Sequence, residues 1–264
     1  MKRISIQAIS LCLAAGFLVF PAQQDRMGHV GKNEVTIRGH TQHIYYFPAG
    51  GAPLHPALCI LFAPGDGGWR GAAVGMAGKM ASFGYDVYGL DTKQYLESLT
   101  SPSSLRANDV MADFRQLSEQ LASGKGRHVV LVGWSEGAGL VVLAVASGEG
   151  RRYIQGVITM GLGDSNVLGW SWLDDLTYVT KTDPREPTFS ALSYMEKVSP
   201  LPLVMIQSSK DEYVPLDEAK RLFGRAREPK RFVLIEALNH RFDGNLDEFY
   251  HQLLGALHWV GGEK

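Results

Sequence analysis

The sequence predicts a single α/β domain with a mostly parallel central sheet. Apolar runs bounded by glycine alternate along the chain with segments of helical periodicity. The runs at 128–134 and 154–162 are apolar throughout, which is typical of strands buried on both faces of a parallel sheet. Strand and helix in alternation favour helices on both faces of that sheet. At 264 residues, 45% of them hydrophobic, the chain suits one large domain better than two small ones.

The elements can be assigned in chain order. β-branched and aromatic residues on either side of Gly39 predict a hairpin over 34–48. Further strands are expected at 57–65, 85–91, 128–134, 154–162, 201–209 and 231–238. Helices are expected at 71–84, 104–124, 216–226 and 246–260, and another after the strand that ends at 134. The helix over 104–124 has the strongest pattern, with apolar residues at helical spacing and Gly124 after its end.

The N-terminal residues have the pattern of an export signal. Lys2 and Arg3 precede the apolar run 4–22, which gives way to the polar sequence QQDR. We therefore expect residues 1–24 to be a signal peptide, or alternatively an uncleaved membrane anchor, and 25–264 to be the folded domain in the periplasm. Cys59 is then the only cysteine of the mature chain and is expected to be a small core residue.

Charge and motifs exclude several classes of partner. Lys and Arg total 26 against 27 Asp and Glu, so no net field attracts nucleic acid. The glycine-rich loop at 65–71 matches neither of the nucleotide-binding glycine patterns. We expect no nucleic acid, no cofactor and no metal.

One segment does not fit the alternation of strands and helices. Residues 163–197 form a connection that is long for this architecture and rich in aromatic and turn residues. Its aromatic content favours a packed flap over a disordered loop.

A serine interrupts the apolar sequence at the centre of the chain. Residues 133–137, GWSEG, match G-x-S-x-G between a predicted strand and a predicted helix. In that context the serine lies on a sharp turn at the carboxyl edge of the sheet, and the flanking glycines avoid collisions with neighbouring backbone. Ser135 is therefore the candidate nucleophile.

A nucleophilic serine needs a base and a group that orients the base. Asp211 follows one predicted strand and His240 follows the next. Serine, acid and histidine in this chain order are typical of the α/β-hydrolase arrangement. Glu212 and Asp217 are the alternatives to Asp211. His128, His251 and His258 compete with His240, but none of them follows a strand end, and Asp243 is expected to be structural.

An acyl-transfer site also needs donors for the oxyanion. The loop at 65–69 follows a strand, and its glycines let backbone amides approach a ligand closely. We expect the amides of Asp66 and Glu136 to be the donors, with Gly65 as the alternative to Asp66.

Four tryptophans are candidates for the substrate pocket. Trp69, Trp134, Trp170 and Trp172 lie near predicted strand ends or in the flap, where they would line an apolar pocket or pack the flap onto the sheet. The Glu136 side chain would attract a cationic group or interact with the dipole of the following helix.

The segments FAPGDGGWRG at 62–71 and NHRFDGNLDEFYHQLL at 239–254 resemble those of VirJ/AcvB-like bacterial exported hydrolases, a family of the α/β-hydrolase superfamily. The resemblance implies a single α/β-hydrolase domain with Ser135, Asp211 and His240 as the triad and 65–69 as the oxyanion loop. It also implies an aminoacyl ester of a phospholipid as one substrate class.

These features predict an exported serine hydrolase that cleaves a carboxylic ester of a small molecule or lipid through an acyl-enzyme. Contact with a membrane surface would fit a lipid substrate. Two other functions remain open. A peptidase or amidase would use the same triad, and a binding or assembly factor would use the same fold without catalysis.

Overall fold

The computed structural model describes residues 31–51, 53–100, 105–123, 126–171, 174 and 186–262. The expected signal peptide, Trp172 and the middle of the expected flap lie outside these residues.

An eight-stranded sheet forms the centre of the molecule, with a two-stranded sheet beside it. The strands are β1 (Gly31–Ile37), β2 (His40–Phe47), β3 (Leu58–Ala63), β4 (Asp86–Leu90), β5 (His128–Trp134), β6 (Ile154–Met160), β7 (Ser165–Val167), β8 (Thr188–Ser190), β9 (Leu203–Ser208) and β10 (Lys230–Ile235). The large sheet has the order β1-β2-β4-β3-β5-β6-β9-β10, and β7 pairs with β8.

The large sheet is parallel from β4 to β10 and antiparallel only at β1 and β2. Strand β5, at its centre, is apolar on both faces. Val129 and Leu131 belong to the hydrophobic cluster on one face, and Val130 and Val132 to the cluster on the other. The predicted mostly parallel sheet is confirmed, and so is the β1–β2 hairpin, which turns through positive φ at Arg38 and Gly39.

Helices cover both faces of this sheet. Their bounds are α1 (Ala72–Ser82), α2 (Thr92–Leu99), α3 (Ala107–Ala122), α4 (Glu136–Ala144), α5 (Leu216–Arg225) and α6 (Leu246–Gly261). Buried residues of α1 and α6 pack in one cluster, and those of α2, α3, α4 and α5 pack in the other. No helix in the described part of the chain is long and apolar enough to cross a membrane.

The described parts of the expected flap are packed against the domain. Strands β7 and β8 pair antiparallel, and 3-10 turns follow at Ala191–Ser193 and Met195–Lys197. Phe189 is buried in the same cluster as α3 and α4. This packing agrees with a flap whose aromatic residues hold it on the sheet.

Two features were absent from the sequence prediction. Helix α2 is only eight residues long, and the Asp91 side chain caps it by accepting from the amide of Gln94. The strands β7 and β8 have three residues each, too few to show an alternating pattern.

Candidate active site

Ser135 lies on a sharp turn between β5 and α4. It has φ 56 and ψ −124, a left-handed conformation that is strained for a residue with a side chain. Its amide donates to the carbonyl of Met160 at 2.9 Å, so the turn begins where the pairing of β5 with β6 ends.

The glycines on either side of Ser135 are required by space. A Cβ at Gly133 would lie 2.4 Å from the carbonyl oxygen of Gly137, and one at Gly137 would lie 2.0 Å from that of Ala63. Both distances are far below van der Waals contact, so neither position accepts a side chain without backbone movement. The G-x-S-x-G pattern thus reflects close packing of α4 against β5 and β3, as predicted.

The glycine-rich loop after β3 borders the nucleophile. A Cβ at Gly65 would lie 3.0 Å from the Cβ of Ser135 and 3.4 Å from its Oγ. Gly65 and Asp66 line the same cavity as Ser135. The amide of Glu136 begins α4 and has no hydrogen-bond acceptor among the described residues. The predicted donors therefore flank Ser135, and their role as oxyanion donors stays a prediction.

His240 and Asp211 form a buried pair. Nδ1 of His240 lies 2.7 Å from Oδ2 of Asp211, and their side chains are only 6% and 1% exposed. Because an ionised carboxylate only accepts hydrogen bonds, Nδ1 carries a proton, and in the neutral imidazole Nε2 is then the acceptor. That Nε2 atom is buried and has no partner among the described residues. It is therefore available to take a proton.

Several contacts hold Asp211 in its ionised form. Burial by itself raises the pKa of Asp211, but it is outweighed by the hydrogen bond and charge interaction with His240 together with hydrogen bonds from the amides of Val214 and Tyr213. The net result is a pKa below the ordinary value of an aspartate. Gln207 also donates to Oδ2 of Asp211 at 3.1 Å.

The competing residues lie elsewhere or have other partners. The Glu212 carboxylate accepts from the backbone amide of His240 at 2.7 Å. This contact positions the histidine loop, residues 236–245 between β10 and α6. Asp243 accepts from Asn239 within that loop, in agreement with a structural role. None of His128, His251 and His258 lines the cavity, and His258 instead lies beside His55.

A cavity of about 630 Å³ brings these elements together. Its wall contains Ser135, His240 and Trp134, and it extends past the loop at 65–68. The indole of Trp134 stacks on the His240 ring, with centroids 5.7 Å apart and an interplanar angle of 23°. Trp134 thus lines the cavity, and its contact with a substrate stays a prediction.

The prediction was wrong for two other tryptophans. Trp69 stacks on Tyr45 at 4.8 Å, and its ring occupies the space over Gly89, where a Cβ would lie 1.7 Å from it. Trp170 is 3% exposed and belongs to the cluster on the face covered by α3 and α4. Neither borders the cavity, because packing against the sheet buries more of each indole than a half-open pocket would.

Glu136 is not among the residues that line the cavity, and its side chain contacts β7 instead, which does not favour the suggested attraction of a cationic substrate group. Its Oε1 accepts from the amide of Val167 on β7 at 2.6 Å. Burial raises the pKa of Glu136 well above its ordinary value; the Val167 hydrogen bond opposes this rise, and the charge of Asp66 adds to it.

Sequence reasoning missed the large side chains of the cavity wall other than Trp134 and His240, and one glycine that makes room for the His240 ring. Arg70, Tyr213 and Arg241 line the cavity, and the Tyr213 ring meets that of His240 edge to face at 5.4 Å. Gly161 has φ +60, and a Cβ there would lie 2.4 Å from Cε1 of His240. The positions of Tyr213 and Arg241, next to Asp211 and His240 in sequence, were the available signal.

The chain is similar in sequence to known proteins. Residues 57–171 match the family model described as bacterial virulence protein (VirJ). The uncharacterized protein YfhR of Escherichia coli O157:H7 is 23% identical over 197 residues, which cover 74% of this chain and 68% of YfhR.

Solved structures share the fold at low sequence identity. The esterase domain of a Rhodothermus marinus protein is 19% identical with a TM-score of 0.59, covering 88% of this chain and 98% of that one. Dienelactone hydrolase from Anabaena variabilis is 17% identical with a TM-score of 0.63, covering 88% and 97%. The resemblance inferred from 62–71 is confirmed by the match of residues 57–171 to the VirJ family model, and the solved structures show that the chain has the fold of the α/β-hydrolases.

Proposed function

We propose that this protein is a serine hydrolase that cleaves a carboxylic ester through an acyl-enzyme on Ser135. The observation that carries the proposal is that a strained Ser135 lines the same cavity as His240, whose ring is held by the buried Asp211. Strain of this kind costs roughly 1–3 kcal/mol and is typical of functional positions. The name of the Rhodothermus marinus esterase domain agrees with this class of reaction.

The mechanism follows from the protonation states. His240 Nε2 takes the Oγ proton of Ser135 as Oγ attacks the acyl carbonyl, and Asp211 stabilises the imidazolium that forms. The amides of Glu136 and of Asp66 or Gly65 stabilise the oxyanion. His240 then protonates the leaving alcohol, and a water activated by the same nitrogen releases the acid from Ser135.

The finer substrate assignment rests on the VirJ resemblance. The resemblance extends the proposal to an aminoacyl-phospholipid or other lipid-like ester. The volume of the cavity lies within the range of about 300–1,000 Å³ that is typical of small-ligand sites. We also propose export to the periplasm, with residues 1–24 either removed as a signal peptide or retained as an anchor. The charge and hydropathy pattern of residues 1–24 supports export. Contact with a membrane surface is proposed because it would fit a lipid substrate.

Hydrolysis of 4-nitrophenyl butyrate, with the matching 4-nitroanilide alongside, tests the proposal. Wild type should cleave the ester faster than the anilide, and Ser135→Ala and His240→Ala should each lower kcat on the order of 10⁶-fold, as loss of one member of a triad does. Ser147→Ala is the matched control, because Ser147 is exposed in the turn after α4.

Three outcomes would count against the ester hydrolase. Faster cleavage of the anilide would favour an amidase. Ester cleavage that survives in Ser135→Ala would show that Ser135 is not the nucleophile. A folded wild-type protein that cleaves neither compound would favour the binding factor.

A further inference from the structure

Two arginines line the cavity that holds Ser135. Arg70 follows the glycine-rich loop after β3, and Arg241 directly follows His240. Both side chains are exposed to solvent. They therefore present positive charge where a substrate enters.

The backbone of each arginine is fixed by a turn. The amide of Arg70 donates to the carbonyl of Gly68 at 3.0 Å, and the amide of Arg241 donates to Oδ1 of Asn239 at 2.9 Å. The backbone of each arginine is thus held close to the catalytic groups. Arg70 directly follows the oxyanion loop, and Arg241 lies on the histidine loop.

Neither guanidinium has a partner among the described residues. No carboxylate, carbonyl oxygen or aromatic ring there pairs with the side chain of Arg70 or Arg241. Most other arginines of the described chain do pair with carboxylates: Arg38, Arg127, Arg152, Arg221, Arg225 and Arg227. A guanidinium has five donors in a planar fork, which suits a carboxylate or phosphate.

The charges near the cavity leave an excess of positive charge in its wall. Asp66 is the one carboxylate among the residues that line it, against two guanidinium groups. The Asp211 carboxylate is 1% exposed and bound to His240, and the Glu136 side chain is bound to Val167 on the flap side. An anionic group is therefore the complement to this wall.

We propose that Arg70 and Arg241 bind an anionic group, a carboxylate or a phosphate, that the ester substrate carries near its scissile bond. This inference rests on the proposed ester hydrolysis and narrows its substrate class to anionic esters. The two arginines determine specificity and take no part in proton transfer.

The test compares esters that differ in charge but little in size. kcat/KM is measured for 4-nitrophenyl valerate, for mono(4-nitrophenyl) glutarate and for the 4-nitrophenyl ester of 3-phosphonopropionic acid. Wild type should prefer at least one anionic ester to the valerate by about tenfold or more, the effect of one charge-assisted hydrogen bond. Preference for the glutarate ester would indicate that the arginines bind a carboxylate, and preference for the phosphono ester would indicate that they bind a phosphate.

The readout in the variants is the ratio of kcat/KM for the anionic ester to that for the valerate. Arg70→Gln and Arg241→Gln should each lower this ratio about tenfold, and Arg70→Lys and Arg241→Lys should lower it less because the charge remains. Arg152→Gln is the control, since Arg152 lies outside the cavity.

Two results would overturn the inference while leaving ester hydrolysis intact. One is a wild-type protein whose kcat/KM for the valerate equals or exceeds its kcat/KM for each anionic ester. The other is an anionic preference that both glutamine variants retain. If wild type cleaves none of the three esters, both the proposed function and this inference are wrong.

Discussion

Asp211 illustrates how single contacts define the chemistry of the site. Its carboxylate accepts from the His240 ring, from the amides of Tyr213 and Val214, and from Gln207. Such contacts favour the charged form and fix the imidazole tautomer that leaves Nε2 unprotonated. The orientation of the base therefore depends on one carboxylate.

Asp211→Asn should lower kcat on the order of 10⁴-fold while KM changes little, because an amide at this position favours the wrong tautomer. The measurement is the steady-state rate with 4-nitrophenyl butyrate. Asp217→Asn serves as the control, since Asp217 lies in the first turn of α5, outside the cavity. An Asp211→Asn enzyme with the full wild-type rate would show that the histidine does not depend on this carboxylate.

Glu136 gives the folded protein a pH dependence of its own. Because its pKa in the folded state lies well above the ordinary 4.5, the folded chain keeps a proton that the unfolded chain has lost once the pH exceeds about 4.5. The Glu136 contribution to the free energy of unfolding therefore falls as pH rises from there towards the pKa of the folded state.

Glu136→Gln should remove that part of the pH dependence, because glutamine keeps an oxygen that accepts from Val167 but does not titrate. Urea denaturation between about pH 4 and pH 8 measures it, with the exposed Glu149→Gln as control. If wild type and Glu136→Gln lose stability in parallel as pH rises, the carboxyl does not titrate as inferred.

At the scale of elements, the turn between β5 and α4 depends on the absence of side chains on both sides of Ser135. The first turn of α4 passes so close to β5 and to the end of β3 that backbone carbonyl groups fill the space of a Cβ at Gly133 and Gly137. This contact holds Ser135 at the carboxyl edge of the sheet.

Gly137→Ala should destabilise the protein by several kcal/mol or prevent folding, because its Cβ would lie 2.0 Å from the carbonyl oxygen of Ala63. The matched control is Gly255→Ala in α6, where a Cβ meets nothing within 4 Å and helix propensity predicts a gain of up to about 1 kcal/mol. Thermal unfolding followed by circular dichroism compares the two variants. Equal melting temperatures would contradict the packing described for the turn.

The elements that the sequence predicted are those with strong local patterns. The buried parallel strands and the periodic helix α3 have such patterns, and the hairpin has turn residues with positive φ. Helix α2 and the β7–β8 pair are short and owe their stability to tertiary contacts, so no window of sequence reveals them. Trp69 occupies the space over Gly89, and Trp170 is buried in the cluster that contains α3 and α4. Neither contact can be read from a local sequence pattern.

At the scale of the whole molecule, the sheet brings distant segments to one edge. β5, β9 and β10 are parallel, so the loops that follow them and carry Ser135, Asp211 and His240 begin at the same edge. This is why chain order and strand ends were enough to predict that these three residues lie at one edge of the sheet. The sequence did not predict the cavity positions of Arg70, Tyr213 and Arg241, because these positions depend on how the loops fold over that edge.

The histidine loop reaches the cavity because the core anchors it. Phe242 is fully buried, adopts φ 63 and stacks on Phe249 of α6 with centroids 4.2 Å apart. Gly244 turns the chain at φ 83, where a Cβ would meet the Leu238 side chain at 2.8 Å. The H-x-F-D-G segment thus joins His240 to the hydrophobic cluster around α6.

The central claim is that the fold activates Ser135 as a nucleophile. Labelling with a fluorophosphonate, followed by mass spectrometry of the digested protein, tests it most directly because a covalent adduct forms only on an activated hydroxyl. We expect one adduct per wild-type chain on the peptide that contains Ser135, none on Ser135→Ala, and much slower labelling of His240→Ala. A wild-type protein that is folded by circular dichroism and is unlabelled, or labelled at another residue, would contradict it.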